Sequence, residues 1–232
     1  MRILNSVLYD IKFQMRHGFY YAYIIVSLFY IGILRFIPYP YKTTLGTLII
    51  FSDPSFLGAL FIGGIFLLER EQNTLENIFI TPLKVGEYIW SKVISLTIIS
   101  LLSSSFITII TFKWNVNIFL FLTGVTLSSI FYTLLGFIIV VYSKNLNDYL
   151  LNSFITTIFV LPVLEYLEVY SSPIFYLLPG KGAIELMNGA FKSISSYNIL
   201  YSIILLILWC AVAYIILVKI FNKKIILRIG EK

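Results

Sequence analysis

Long apolar runs separated by short polar stretches dominate the chain, and their lengths set the first expectation. A helix that crosses a bilayer needs roughly 20 predominantly apolar residues. Runs of that kind fall at 19–37, 45–68, 88–112, 118–142, 149–167 and 198–220. Ahead of them, residues 1–17 place Ile3, Leu4, Val7, Leu8, Ile11 and Met15 at helical spacing, with Arg2, Asp10, Lys12 and Arg16 mostly elsewhere on the wheel. That pattern predicts an amphipathic helix lying along the membrane interface. No small-residue cleavage site follows the first run, so no removable signal peptide is expected. The predicted fold is all-α and integral to the membrane, one domain over 1–232 with six transmembrane helices behind an N-terminal interfacial helix.

Two stretches depart from this regularity. Ser52-Asp53-Pro54 interrupts the second run, and Asp followed by Pro is what a helix start looks like. A helix from Pro54 to about Glu71 would be roughly 27 Å long, which leaves 43–51 as a re-entrant or interfacial piece. The segment 168–197 carries Pro173, Pro179, Gly180, Gly182 and Gly189 among apolar residues, and predicts a short outer hairpin or re-entrant element rather than a span. An even number of spans puts both ends on one side. With both ends cytoplasmic, the inner segments hold Arg2, Lys12, Arg16, Arg70, Lys84, Lys92, Lys144, Lys219, Lys223, Lys224, Arg228 and Lys232, and the outer ones only Arg35, Lys42, Lys113, Lys181 and Lys192. This follows the positive-inside rule and makes the loop 69–87 cytoplasmic, with the chain multi-pass in the cell membrane.

Composition narrows the chemistry. Hydrophobic residues make up 59% of the chain and charged ones 12%, against roughly 45–50% apolar content in soluble domains. The net charge of +6 is scattered singly between apolar runs, which points to the bilayer surface as partner and not to nucleic acid. The single histidine, His17, excludes a paired-histidine metal site and reads as an interfacial anchor. Cys210 is alone, so one chain builds no disulfide or thiolate metal site. Gly180-Lys181-Gly182 has neither the spacing nor the hydroxyl residue of a phosphate-binding loop. The expectation is a chain with no catalytic residues, metal or cofactor of its own. Ionisable groups inside spans are functional candidates. Asp53 is the main one, with helix capping as its structural alternative. Glu165 and Glu168, beside Tyr166 and Tyr170, either attract a cationic amphiphile at the outer mouth or mark where the fifth span meets water. Ala59, Gly63 and Gly64, and again Gly124 and Ser128, permit close helix contact, within one subunit or at a dimer seam.

The densest polar stretch is Glu69-Arg70-Glu71-Gln72-Asn73-Thr74-Leu75-Glu76-Asn77-Ile78-Phe79-Ile80-Thr81-Pro82-Leu83. Asn73 can cap a short helix with Glu76 three residues on, which puts Leu75, Ile78 and Phe79 on one face. Thr81-Pro82 is a second start signal, for the helix that becomes the third span. On these residues alone, the stretch is either a force-transmitting helix tethered at both ends or a solvated connector.

Glu69-Arg70-Glu71, then Thr74-Leu75-Glu76, then Thr81-Pro82-Leu83, then Glu87 with Lys92 five residues later resembles the signature of type-2 ABC exporter permeases, with Asn73 where that family commonly has glycine. Asn tolerates the same left-handed and capping conformations. The second span and its loop look closest to small permeases for drug export of the fluoroquinolone type. The resemblance covers nearly the whole chain in layout and residues 69–92 in motif.

It implies that 73–80 is a coupling helix seated on a separate cytoplasmic ABC ATPase subunit, which binds ATP and magnesium and performs the hydrolysis. The ATPase-facing set is then Glu69, Arg70, Glu71, Asn73, Thr74, Leu75, Glu76, Ile78, Phe79, Thr81, Pro82, Leu83, Glu87 and Lys92, with the acidic members meeting the partner or bracing the loop internally. It also implies a second permease subunit, as a homodimer or heterodimer. The rival classes are an ATP-independent secondary transporter, expected to place several ionisable groups at mid-membrane, and a membrane scaffold.

Overall fold

A computed structural model describes residues 2–39, 41–53, 57–75, 78, 83–113 and 115–226, and all regular structure among them is helical. The helices are α1 (Arg2–Arg16), α2 (Phe19–Phe36), α3 (Tyr41–Ser52), α4 (Gly58–Glu71), α5 (Val85–Phe112), α6 (Ile118–Tyr142), α7 (Leu146–Ser153), α8 (Thr157–Val160), α9 (Val163–Tyr166), α10 (Pro179–Phe191) and α11 (Ser196–Phe221). Four of them, α2, α5, α6 and α11 with its π turn, are long and apolar enough to cross a membrane. These are the expected first, third, fourth and sixth runs.

The second and fifth runs are helical but built in pieces. In the second, α3 and α4 flank residues where Asp53 and Leu57 take the wider π winding, a distortion common where a polar group must be accommodated inside a helix. The described part of α4 begins at Gly58, and the expected start at Pro54 lies outside the described residues. In the fifth, α7 passes through a 3-10 turn at Phe154–Thr156 into α8, and α9 follows Pro162. Proline lacks the N–H that would continue the ladder and crowds the preceding turn.

α5 and α6 form the middle of the bundle. In their apolar stretches 56% and 72% of residues are buried, against 17% in both α2 and α11, whose Ile25, Phe29, Ile204 and Leu208 face outward. The small-residue faces are spent inside the chain. Gly63 lies under the Tyr149 ring, whose hydroxyl donates to the Ala59 carbonyl, and Gly124 admits Leu186 and Met187 of α10.

The two ends of the bundle differ in construction. At one, Phe221 of α11 packs on Tyr88 at 5.6 Å and on Phe66 at 6.1 Å, near the start of α5, where Asp10 of α1 also meets Lys92. The N-terminal helix and the end of α11 therefore share an end. At the other, α10 caps the bundle: Asn117 N–H donates to the Ala190 carbonyl at 2.8 Å, and Phe112 meets Phe191 at 4.7 Å. Thirteen residues reach only about 20 Å, short of a crossing.

α1 is a helix as the periodicity predicts, but the face it turns to the protein is a different one. Val7, Asp10, Phe13 and Gln14 are buried against the bundle, whereas Leu4, Leu8 and Met15 stay exposed. Gly18, at φ 83°, makes the bend from α1 into α2 in a region that side chains disfavour.

Candidate functional site

The charged signature residues converge on the end of the bundle that holds α1. Lys92, about two turns into α5, points between α4 and α1 and pairs with Glu69 Oε1 and with Asp10 Oδ1, the latter at 2.5 Å. All three side chains are essentially sealed, at 1% exposure for Lys92, 0% for Glu69 and 3% for Asp10. Tyr88 Oη donates to Glu69 Oε2 at 2.6 Å, so both oxygens of that carboxylate are satisfied. The Lys92 ammonium also lies 5.2 Å from the Tyr88 ring and 5.8 Å from the Phe13 ring. One turn further along α5, Gln14 Nε2 donates to Ser95 Oγ at 2.7 Å. Taking ions out of water is costly, and only close pairing with added hydrogen bonds offsets it. Three elements are thereby locked in one register.

The loop leaves directly from this cluster. α4 stops at Asn73, whose φ of 54° is left-handed and whose N–H donates to the Arg70 carbonyl at 3.2 Å. Asn73 is thus the stop of α4, the position where glycine is favoured, and not a conventional extended N-cap of the next helix. Thr74, Leu75 and Ile78 are helical; Leu75 is buried and Ile78 packs on the main core. Glu76, Phe79, Thr81 and Pro82 lie outside the described residues. Leu83 and Lys84 are non-helical, and α5 starts at Val85. Its start is therefore not launched by Thr81-Pro82. Glu87 closes it, accepting from the Lys84 N–H at 2.8 Å.

Arg70 ties the same corner to the α6–α7 connection, donating to the Ser143 and Lys144 carbonyls at 2.9 and 2.5 Å. Partial burial pushes its guanidinium below the ordinary value, against the pull of neighbouring Glu71. Glu71 and Gln72 are exposed. A cleft of about 500 Å³ opens between α1 and the loop, with Asp10, Tyr88 and Lys92 at its floor and Thr74, Ile78 and Leu83 on its wall.

Of the residues expected to face a partner, Glu69 and Lys92 are buried inside this chain and brace the loop from within. Leu75 belongs to the core. Asp10, Tyr88 and Gln14 complete the cluster and were not singled out by the sequence pattern, although Asp10 is the one carboxylate on an otherwise basic helix.

The other carboxylates lie elsewhere. Asp53 is fully buried and turns toward α5, accepting from Ser104 Oγ at 3.3 Å, while its second oxygen has no partner among the described residues. It sits beside a row of buried hydroxyls: Tyr23 meets Ser100 at 3.2 Å, and Ser27 meets Ser103 at 2.8 Å. At the α10 end, Lys181 binds Glu165 at 2.8 Å and Glu185 at 3.5 Å. Burial works against the Lys181 ammonium, but the two carboxylates outweigh it and hold its pKa above the ordinary value. These residues line a pocket of about 320 Å³ together with Glu168, Asn188 and Lys192. Glu168 is exposed, at φ 59°.

This layout, from α1 through the braced loop to the end of α11, is matched as a whole: a model of the fluoroquinolones export permease protein family covers residues 1–229. The chain belongs to that family. It is similar to the fluoroquinolones export permease proteins of Mycobacterium tuberculosis strains CDC 1551 / Oshkosh and ATCC 25618 / H37Rv, each 24% identical over 211 residues that span 88% of this chain and 89% of the relative. The chain is a membrane permease, and the braced loop is to be understood as a part of a transport protein.

Proposed function

We propose that the chain is the membrane-spanning subunit of an ATP-driven ABC exporter, with the loop after α4 as its coupling element and a separate cytoplasmic ATPase as its motor. The observation that carries this reading is the sealed Asp10–Lys92–Glu69 cluster at the root of the loop. A connector without a task needs no such joint. A loop that must convert a partner's motion into movement of spans has to be stiff where it enters the bundle, and here α1, α4 and α5 move as one body.

In this reading both termini are cytoplasmic, because α1, the loop and the end of α11 share one end and the basic residues concentrate there. Two permease chains, alike or different, form the path. ATP binding on the partner draws the loops together, and the spans turn outward. The cargo is a drug or similar amphiphile, in keeping with the name of the family. Export follows an apolar route ending near the Glu165–Lys181–Glu185 pocket, whose two signs of charge suit a zwitterionic or cationic molecule. Asp53, buried with one oxygen that has no partner among the described residues, is the one observation that favours the ATP-independent alternative, a secondary transporter working on an ion gradient.

The test uses Glu71, which is exposed and lies outside the cluster, and Glu76 of the expected coupling helix. Tagged wild type and a Glu71→Arg, Glu76→Arg variant are purified in mild detergent at matched expression. An ABC ATPase should copurify with wild type and be lost from the variant, with melting temperature unchanged. No ATPase with either protein sinks the reading and leaves the gradient-driven alternative.

A further inference from the structure

Beside the coupling corner, on the flank of α1 away from Asp10, is a cavity of about 640 Å³ lined by Tyr9, Lys12, Phe13, Arg16, His17 and Gln72. Among the described residues its lining is basic and aromatic, with Gln72 and without a carboxylate. Among the described residues neither Lys12 nor Arg16 has a carboxylate partner. Lys12 and Arg16 are one turn apart on an exposed face, and the His17 ring lies against Phe13 at 4.0 Å with Nδ1 at 2.9 Å from the Phe13 carbonyl. One step round the helix is the exposed apolar stripe Leu4, Leu8 and Met15, at 65%, 54% and 55% exposure.

From this juxtaposition we infer that α1 holds the headgroup of an anionic phospholipid in this cavity. The phosphate accepts hydrogen bonds from the Arg16 guanidinium and the Lys12 ammonium, and the acyl chains run along Leu4, Leu8 and Met15. The chemistry fits on both counts. Guanidinium groups hold phosphate with paired donors, lysine adds a point charge, and an amphipathic helix with basic and apolar faces side by side binds at the boundary between headgroups and chains. Sealing Val7, Asp10, Phe13 and Gln14 against the bundle leaves those two faces as the exposed ones. Gln72 in the lining places the site at the exit of α4. A bound lipid therefore bears on the same corner that Asp10, Glu69 and Lys92 hold from the other side, and this lipid site stands whether or not the partner is an ATPase.

The test is lipid retention. Full-length wild type is purified from mixed micelles of phosphatidylglycerol and phosphatidylcholine and examined by native mass spectrometry. Alongside it run Lys12→Gln with Arg16→Gln, and a control of equal charge change, Lys219→Gln with Lys223→Gln, at exposed positions outside the cavity. Enrichment of phosphatidylglycerol over phosphatidylcholine should fall roughly thirtyfold in the cavity variant, as expected for two basic contacts to an anionic surface, and persist in the control. Equal enrichment in all three proteins, or none in wild type, overturns the assignment. An excess of inorganic phosphate should leave the enrichment intact; displacement by phosphate alone overturns the lipid in favour of a soluble phosphate ligand.

Discussion

Each end of this bundle carries a lysine held between two carboxylates, and the two clusters are put together differently. Lys92 joins partners 82 and 23 positions away in sequence, on α1 and α4, and is sealed from solvent. Lys181 joins Glu185 of its own helix and Glu165 of α9, 16 positions away, and its members keep 14–21% side-chain exposure. The first holds three elements in register. The second links only α10 to the short neighbouring α9, and its partly exposed charges stay within reach of water. A lysine between two carboxylates thus makes a sealed joint at one end and a half-open polar pocket at the other, and the difference lies in sequence separation and access to water.

The comparison breaks first at Lys92. Replacing it with methionine leaves Asp10 and Glu69 buried without a counter-charge, and removing one partner of a buried pair costs about 3–5 kcal/mol. Thermal unfolding in detergent should show a large loss of stability and a lower folded yield. Next, Tyr88→Phe removes one donor from Glu69 while keeping the ring. It should cost about 1–3 kcal/mol, the penalty of an unsatisfied buried acceptor, measured in the same way. Smallest is Lys181→Met. Partly exposed pairs contribute up to about 1 kcal/mol, so melting should barely move, while the apparent affinity for a cationic export substrate changes. A large melting shift for Lys181→Met together with a small one for Lys92→Met would reverse the assignment of joint and pocket.

Much of the fold was legible because bilayer thickness writes itself into run length. α2, α5, α6 and α11 each coincide with an apolar run. The second and fifth runs coincide with helical pieces and not with long helices; the interruption of the second was legible at Ser52-Asp53-Pro54, whereas that of the fifth, at the 3-10 turn and Pro162, was not, since hydropathy ignores local winding. The helix of α1 was legible from its period. Its inward face was not: the apolar stripe meets the exterior, and Asp10 turns inward because Lys92 waits for it across the fold. In the same way, Glu69 and Lys92 stood out in the motif, yet the motif carries no information on which side of a helix a partner lies. Glu87 was noticed for its spacing and turns out to close the start of α5.

The most direct test of the joint is export per ATP in proteoliposomes that contain the chain with the ATPase proposed as its partner. Wild type is compared with the apolar triple variant Asp10→Leu, Glu69→Leu, Lys92→Met. Replacing a buried ion cluster by apolar residues is often neutral or stabilising, so the triple variant should regain the stability that Lys92→Met loses. The predicted result is near-normal ATP hydrolysis with at least a severalfold loss of substrate moved per ATP, because apolar packing fills the space without fixing which turns of α1 and α4 meet α5. Wild-type export per ATP in a stable triple variant would contradict the role of the cluster as the joint between loop and spans.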